Sequence, residues 1–200
     1  METSEFTYRP RTGPVAAIAV WGLAGLSAAG LAADRLDQAA RWAPAVALVC
    51  LTAWAVFWAP LVKVGADGLD VRNVTASHRL PWAAIVRIDT RWALTLHTAQ
   101  GKVTAFAAPA PSATRSLSTA TSAEARHLPE SSFDAGHSVR PGDLPGTASG
   151  DLAWVVRERW ERARGAGPAG AATRRWHTAT LAAWAALALW TALALALPSP

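Results

Sequence analysis

The 200 residues carry a formal charge of +5 at pH 7, a single cysteine and 52% hydrophobic residues. One cysteine excludes an intrachain disulfide framework. The excess charge is spread along the chain instead of forming a basic stripe with interleaved aromatics, which argues against nucleic acid as a partner.

Three stretches without Asp, Glu, Lys or Arg, residues 13–33, 42–62 and 176–197, are each long enough to cross a bilayer. About twenty helical residues at ~1.5 Å of rise match a hydrocarbon core of roughly 30 Å. The expected organisation is a tail over 1–12, a transmembrane hairpin over 13–62, a small domain over 62–164, a flexible tether over 165–175 and a third transmembrane helix over 176–197. Arginine dominates the basic residues, Lys63 and Lys102 being the lysines, and Ala is abundant, which suggests a GC-rich bacterial genome. The first apolar stretch exceeds the 7 to 15 residues or so of a signal-peptide core and a second follows closely, so a retained hairpin is expected.

In the first span Gly22, Gly25, Ala29 and Ala32 recur at helical spacing and predict a smooth packing face for a neighbouring helix. Trp42 and Trp58 near the ends of the second span, and Trp176 before the third, fit aromatic belts, and Pro44 is placed in the first turn of the second helix. Cys50 reads as a small packing residue. Arg9 and Arg11, Lys63 and Arg72, and Arg162, Arg164, Arg174 and Arg175 flank the spans on the side of the middle domain, so the domain is expected in the cytoplasm of a multi-pass plasma membrane protein. No acid, Lys or Arg falls inside a span, which argues against a transporter or proton relay.

From Val62 the pattern changes to strand-like alternation. Val62 and Val64 pair across the Ala66-Asp67-Gly68 turn with Leu69 and Val71. A strand over 77–80, a proline-opened turn over 81–84 and a strand over 85–90 follow. Trp92, Leu94 and Leu96 read as one buried face, and a Gln100-Gly101 turn returns the chain over 102–107. Residues 110–150, rich in Ser, Thr, Ala, Pro and Gly, are expected to be a disordered insertion. Asp151 then caps a helix whose stripe is Leu152, Val155, Val156, Trp160 and Ala163, with Glu158 and Glu161 placed to pair with Arg162 and Arg157.

Six short antiparallel strands closed by one helix outline an α+β membrane protein with a pleckstrin-homology (PH)-like barrel, Trp160 filling its mouth. The run Val62 to Asn73, the run His78 to Ile85, the hairpin ending Ala105-Phe106-Ala107-Ala108-Pro109, and Arg157-Glu158-Arg159-Trp160-Glu161 resemble actinobacterial membrane proteins with the PH domain named after low molecular weight protein antigen 6. The resemblance covers roughly residues 8 to 175 and implies a PH-like fold in a membrane-bound bacterial protein, with no activity attached. Phosphoinositide-binding PH domains carry a Lys/Arg cluster on the first hairpin, whereas here that loop is Gly65-Ala66-Asp67-Gly68, with an acid at its tip.

Catalytic patterns are absent from the sequence: there is no Gly-x-Ser-x-Gly, no metal-ligand spacing among the histidines, and Gly165 to Gly170 matches a dinucleotide fingerprint without the strand it needs. The chain is therefore expected to be a non-enzymatic scaffold without cofactor, metal, small-molecule substrate or nucleic acid, in contact with lipid and with a protein partner. Trp154, off the apolar stripe of its helix, and His78 with Arg79 beside Trp82 are the candidate interaction residues. The alternatives are an accessory subunit docking through Gly22, Gly25 and Ala29, or an anionic-lipid sensor using Arg72, Arg79 and Arg87.

Overall fold

The computed structural model describes residues 5–10, 12–90, 92–109, 148–163 and 170–196. They form two compact units, a two-sheet domain and a helical unit.

In the domain, β1 (Phe6–Tyr8), β2 (Leu61–Val64), β3 (Gly68–Arg72), β4 (Ala76–Pro81) and β8 (Thr173–Trp176) form one sheet in the order β1-β2-β3-β4-β8, and β5 (Ile85–Asp89), β6 (Ala93–Thr98) and β7 (Gly101–Pro109) form a second. Alternation decides which side chains turn inward. Val62, Val64, Leu69, Val71 and Leu80 from the first sheet meet Ile88, Leu94, Leu96 and Ala105 from the second in one core, each large aliphatic contributing about 1.5–3 kcal/mol on burial. Helix α3 (Ala148–Ala163) covers this core with Leu152, Ala153 and Val156. Three of its side chains reach both sheets: Arg159 Nη1 donates to Val64 O (2.9 Å), Trp160 Nε1 to Ile85 O (3.1 Å) and Arg157 Nη2 to Thr90 Oγ1 (3.4 Å).

The expected barrel does not close. Pro81 ends β4, a 3-10 turn over Trp82–Ala84 redirects the chain, and β5 starts a separate ladder. At the other margin the Asn73 side chain stands in for a strand: its Nδ2 donates to Thr104 O (2.8 Å) and its Oδ1 accepts from the Phe106 N–H (2.9 Å). A side-chain amide has one donor edge and one acceptor edge, so it joins the sheets at a point rather than along a ladder.

Among the described residues eight strands form, not six. The expected N-terminal tail contains β1, registered as Phe6 on Val64 and Tyr8 on Val62, and the expected tether ends in β8. Trp92 is 81% exposed, so it does not share the buried face of Leu94 and Leu96; it precedes β6, where the alternation begins. Asp151 lies in the first turn of α3 and is not its cap, because the helix starts at Ala148, which also shortens the expected insertion. Residues 110–147 of that insertion lie outside the described residues. Arg162 pairs with Glu158 as expected, whereas Arg157 turns to Thr90.

Among the described residues the helical unit contains three helices long and apolar enough to cross a membrane: α1 (Thr12–Asp34), α2 (Leu36–Ala53, continuing as a π-helix over Trp54–Trp58) and α4 (Thr178–Ala196). The second is shifted towards the N-terminus of the expected span, because residues 36–41 are already helical and Pro60 follows its end. Pro44 is therefore inside α2 rather than in its first turn. Packing of α1 on α2 does not use the predicted glycines. Ala17 is fully buried, Trp21 Nε1 donates to Cys50 O (3.0 Å), and the Trp21 and Trp58 rings stack at 5.7 Å. The close approach is at Gly13, where a Cβ would strike the Phe57 carbonyl exposed by the π-turn. Arg41 Nη2 donates to Leu195 O (3.1 Å), so the end of α4 lies beside the start of α2. The starts of α1 and α4 and the end of α2 thus share one end of this unit.

Candidate functional site

The first hairpin is the place to test for an anion cradle, and it is closed. Gly65 N donates to Gly68 O (2.9 Å), the Trp82 backbone N–H donates to Asp67 O (3.1 Å), and the Trp82 indole N–H donates to Ala66 O (2.7 Å). Trp82 is 3% exposed, so its ring is a fixed wedge under the loop. With the Ala66 and Asp67 carbonyls engaged and Asp67 near the tip, the loop offers an anion little positive potential.

Of the arginines proposed as a lipid sensor, Arg72 and Arg79 are diagonal neighbours on one face of the first sheet, opposite Ser77 and Asp70 respectively, while Arg87 is on the second sheet. His78, beside Arg79 in sequence, pairs with Val71 and so faces the opposite side of β4. Burial, and then the positive charge of Arg174, hold the His78 imidazole below its usual pKa. The unfolded chain thus binds that proton more readily than the folded one. The stabilisation is fully present above about pH 6.5 and is lost as pH falls through the lowered folded value. Unfolding midpoints followed from pH 7 to 5 should fall for the wild type and fall less for His78→Gln; equal slopes would remove His78 from the account.

Two features stand out on the domain surface. Trp154 is 61% exposed on α3, although Leu152, Ala153 and Val156 around it are fully buried. It lies one turn before Arg157, whose guanidinium reaches Thr90, two residues before the exposed Trp92. Trp154 and Trp92 are both exposed, one on α3 and one just before β6, and large exposed aromatics are enriched at contact sites.

The second feature is the outer face of β5-β6-β7. Arg87 opposes His97, and His97 opposes Lys102; one step along, Asp89 opposes Thr95, and Thr95 opposes Thr104. Arg87 Nη2 lies 3.3 Å from His97 Nε2, and the two threonine hydroxyls are 3.1 Å apart. Since guanidinium only donates, Nε2 accepts in this contact and the imidazole proton is on Nδ1. Phe106, 51% exposed, occupies the next outward position of β7 after Thr104. The sequence did not join His97 and Lys102 to Arg87, because only strand register puts the three in one row.

Gly22, Gly25 and Ala29 are exposed on α1, and a Cβ at either glycine would meet nothing within 4 Å. Among the described residues no three His, Cys, Asp or Glu side chains are grouped to hold a metal.

A family model described as bacterial PH domain matches residues 59–141, from the end of α2 through β7 and beyond. It leaves β1, α3 and β8 outside the match. No curated protein and no solved structure matches the chain.

Proposed function

We propose that this chain is a non-enzymatic, membrane-anchored module of the bacterial cytoplasmic membrane, whose PH-like domain binds a protein partner through Trp154. A bacterial PH domain points to protein interaction or lipid binding. The observation that carries the protein reading is the 61% exposure of Trp154 over the buried stripe of its helix, against three arginines divided between two sheets. The anchoring is supported by connectivity: residues 9–11, Ala59 with Pro60, and His177 are all that separate three strands of one sheet from three apolar helices. The basic flanks of these helices favour a cytoplasmic domain.

Cysteine cross-linking from position 154 in intact cells, with a membrane-permeant or an impermeant thiol-reactive cross-linker, tests partner and orientation together. Capture of one recurrent protein with the permeant reagent alone is expected. Trp154→Ala should leave folding intact and weaken that partner roughly thirtyfold, the cost of losing a ~2 kcal/mol anchor. Unchanged capture would sink the reading.

The second reading, an accessory subunit, is favoured by the open Gly22/Gly25/Ala29 face of α1. Capture from position 22 and not from 154 would select it.

A further inference from the structure

We infer that the outer face of β5-β6-β7 is a second recognition surface, for an extended acidic protein segment carrying a large apolar residue four positions from its acid. This rests on the reading of the domain as a protein-binding module, but uses a surface other than Trp154.

The argument begins with register. Arg87, His97 and Lys102 are directly opposed across three strands, with Arg87 Nη2 3.3 Å from His97 Nε2. The imidazole accepts from Arg87 and is flanked by two cations, Arg87 on β5 and Lys102 on β7. Asp89, in the next row, reaches Arg87 only at 4.0 Å, and the Arg87 side chain is 66% exposed, so their ion pair offsets little. An anion lying over the row would meet both cations. In that position the His97 Nδ1–H, the Lys102 ammonium and the remaining Arg87 donors supply a carboxylate with charge-assisted bonds.

The rest of the face selects the kind of anion. Lys102, Thr104 and Phe106 alternate outward along β7, and Thr95 and Thr104 fill the centre with mutually bonded hydroxyls. The basic row and Phe106 are four residues apart, about 13 Å at ~3.4 Å per residue, so an extended ligand meets them with side chains four positions apart. A bilayer surface requires clusters of roughly 4 to 8 Lys/Arg to be held by charge. Here two permanent cations and one imidazole face one acid. That suits one or two carboxylates beside an apolar anchor better than a lipid surface.

The test uses the full chain in nanodiscs of neutral phosphatidylcholine and a fluorescein-labelled Ser/Gly peptide with paired glutamates and a leucine four positions on, read by anisotropy. Arg87→Ala and Lys102→Ala should each weaken binding roughly tenfold. Glutamine in place of the peptide's glutamates should abolish it, and the double variant Arg87→Glu/Lys102→Glu should prefer a peptide with arginines there. Trp154→Ala should leave this binding unchanged, which separates failure here from failure of the Trp154 reading. No binding of the acidic peptide, or equal binding of the glutamate and glutamine peptides, would overturn the inference. So would Arg87- and Lys102-dependent association with phosphatidylglycerol vesicles in place of peptide binding.

Discussion

Alanine at Gly68 should destabilise the domain by about 2–4 kcal/mol, the upper part of the range for overpacked sites. The added Cβ meets no flexible side chain. It runs into the Leu80 carbonyl and the Pro81 Cα, which are backbone atoms of the paired strand β4. Relief requires β3 and β4 to part just where Leu69 and Leu80 face each other in the core. Hydrogen exchange of the full chain in detergent should show β2 to β4 losing protection as a unit. Gly22→Ala is the control: with nothing within 4 Å of its Cβ, and Ala the better helix former, it should be neutral or slightly stabilising. Equal effects at the two sites would contradict the packing described for Gly68.

Replacing Trp82 by alanine should cost about 3–5 kcal/mol, as for other buried aromatics. The ring is 3% exposed in the core, and its indole N–H satisfies Ala66 O, so the substitution opens a cavity and frees the first hairpin loop together. Trp82→Phe separates the two. It keeps most of the volume but drops the 2.7 Å bond, so it should recover about half of the lost stability while leaving Gly65 to Gly68 fast-exchanging. If Trp82→Phe leaves the loop as protected as in the wild type, the indole bond is not what holds it.

The strands legible in the sequence were those with a period of two. Val62/Val64, Leu69/Val71 and Leu94/Leu96 alternate because one face of each strand is buried and the other is wet, and they are fully or almost fully buried in the structure. The turn at Pro81-Trp82 was legible for a similar local reason, since proline presets the backbone angle that opens it. β1 and β8 were not legible. Three or four residues contain too little pattern, and both strands exist only because a neighbour in space supplies hydrogen-bond partners. The mistaken inward placement of Trp92 has the same origin: alternation was extended one step past the strand.

The candidate sites divide the same way. Trp154 could be singled out because helical period places it off the stripe of Leu152 and Val156. Trp92, read as part of the buried face, proved exposed only in the structure. Arg87 was noticed with Arg72 and Arg79, from which its place on the second sheet separates it, while register put it in a row with His97 and Lys102.

The sequence by itself determined three long apolar helices, the alternating strands between them and the acid-tipped first loop, because each depends on residues adjacent in the chain or one helical turn apart. Only the tertiary structure decided that the barrel stays open at Asn73, that Gly13 rather than Gly22 or Gly25 makes the close helix contact, and that a basic row lies across β5-β6-β7. Each of these is a meeting of residues distant in sequence, and which ones meet is settled by the free energy of burying the whole core.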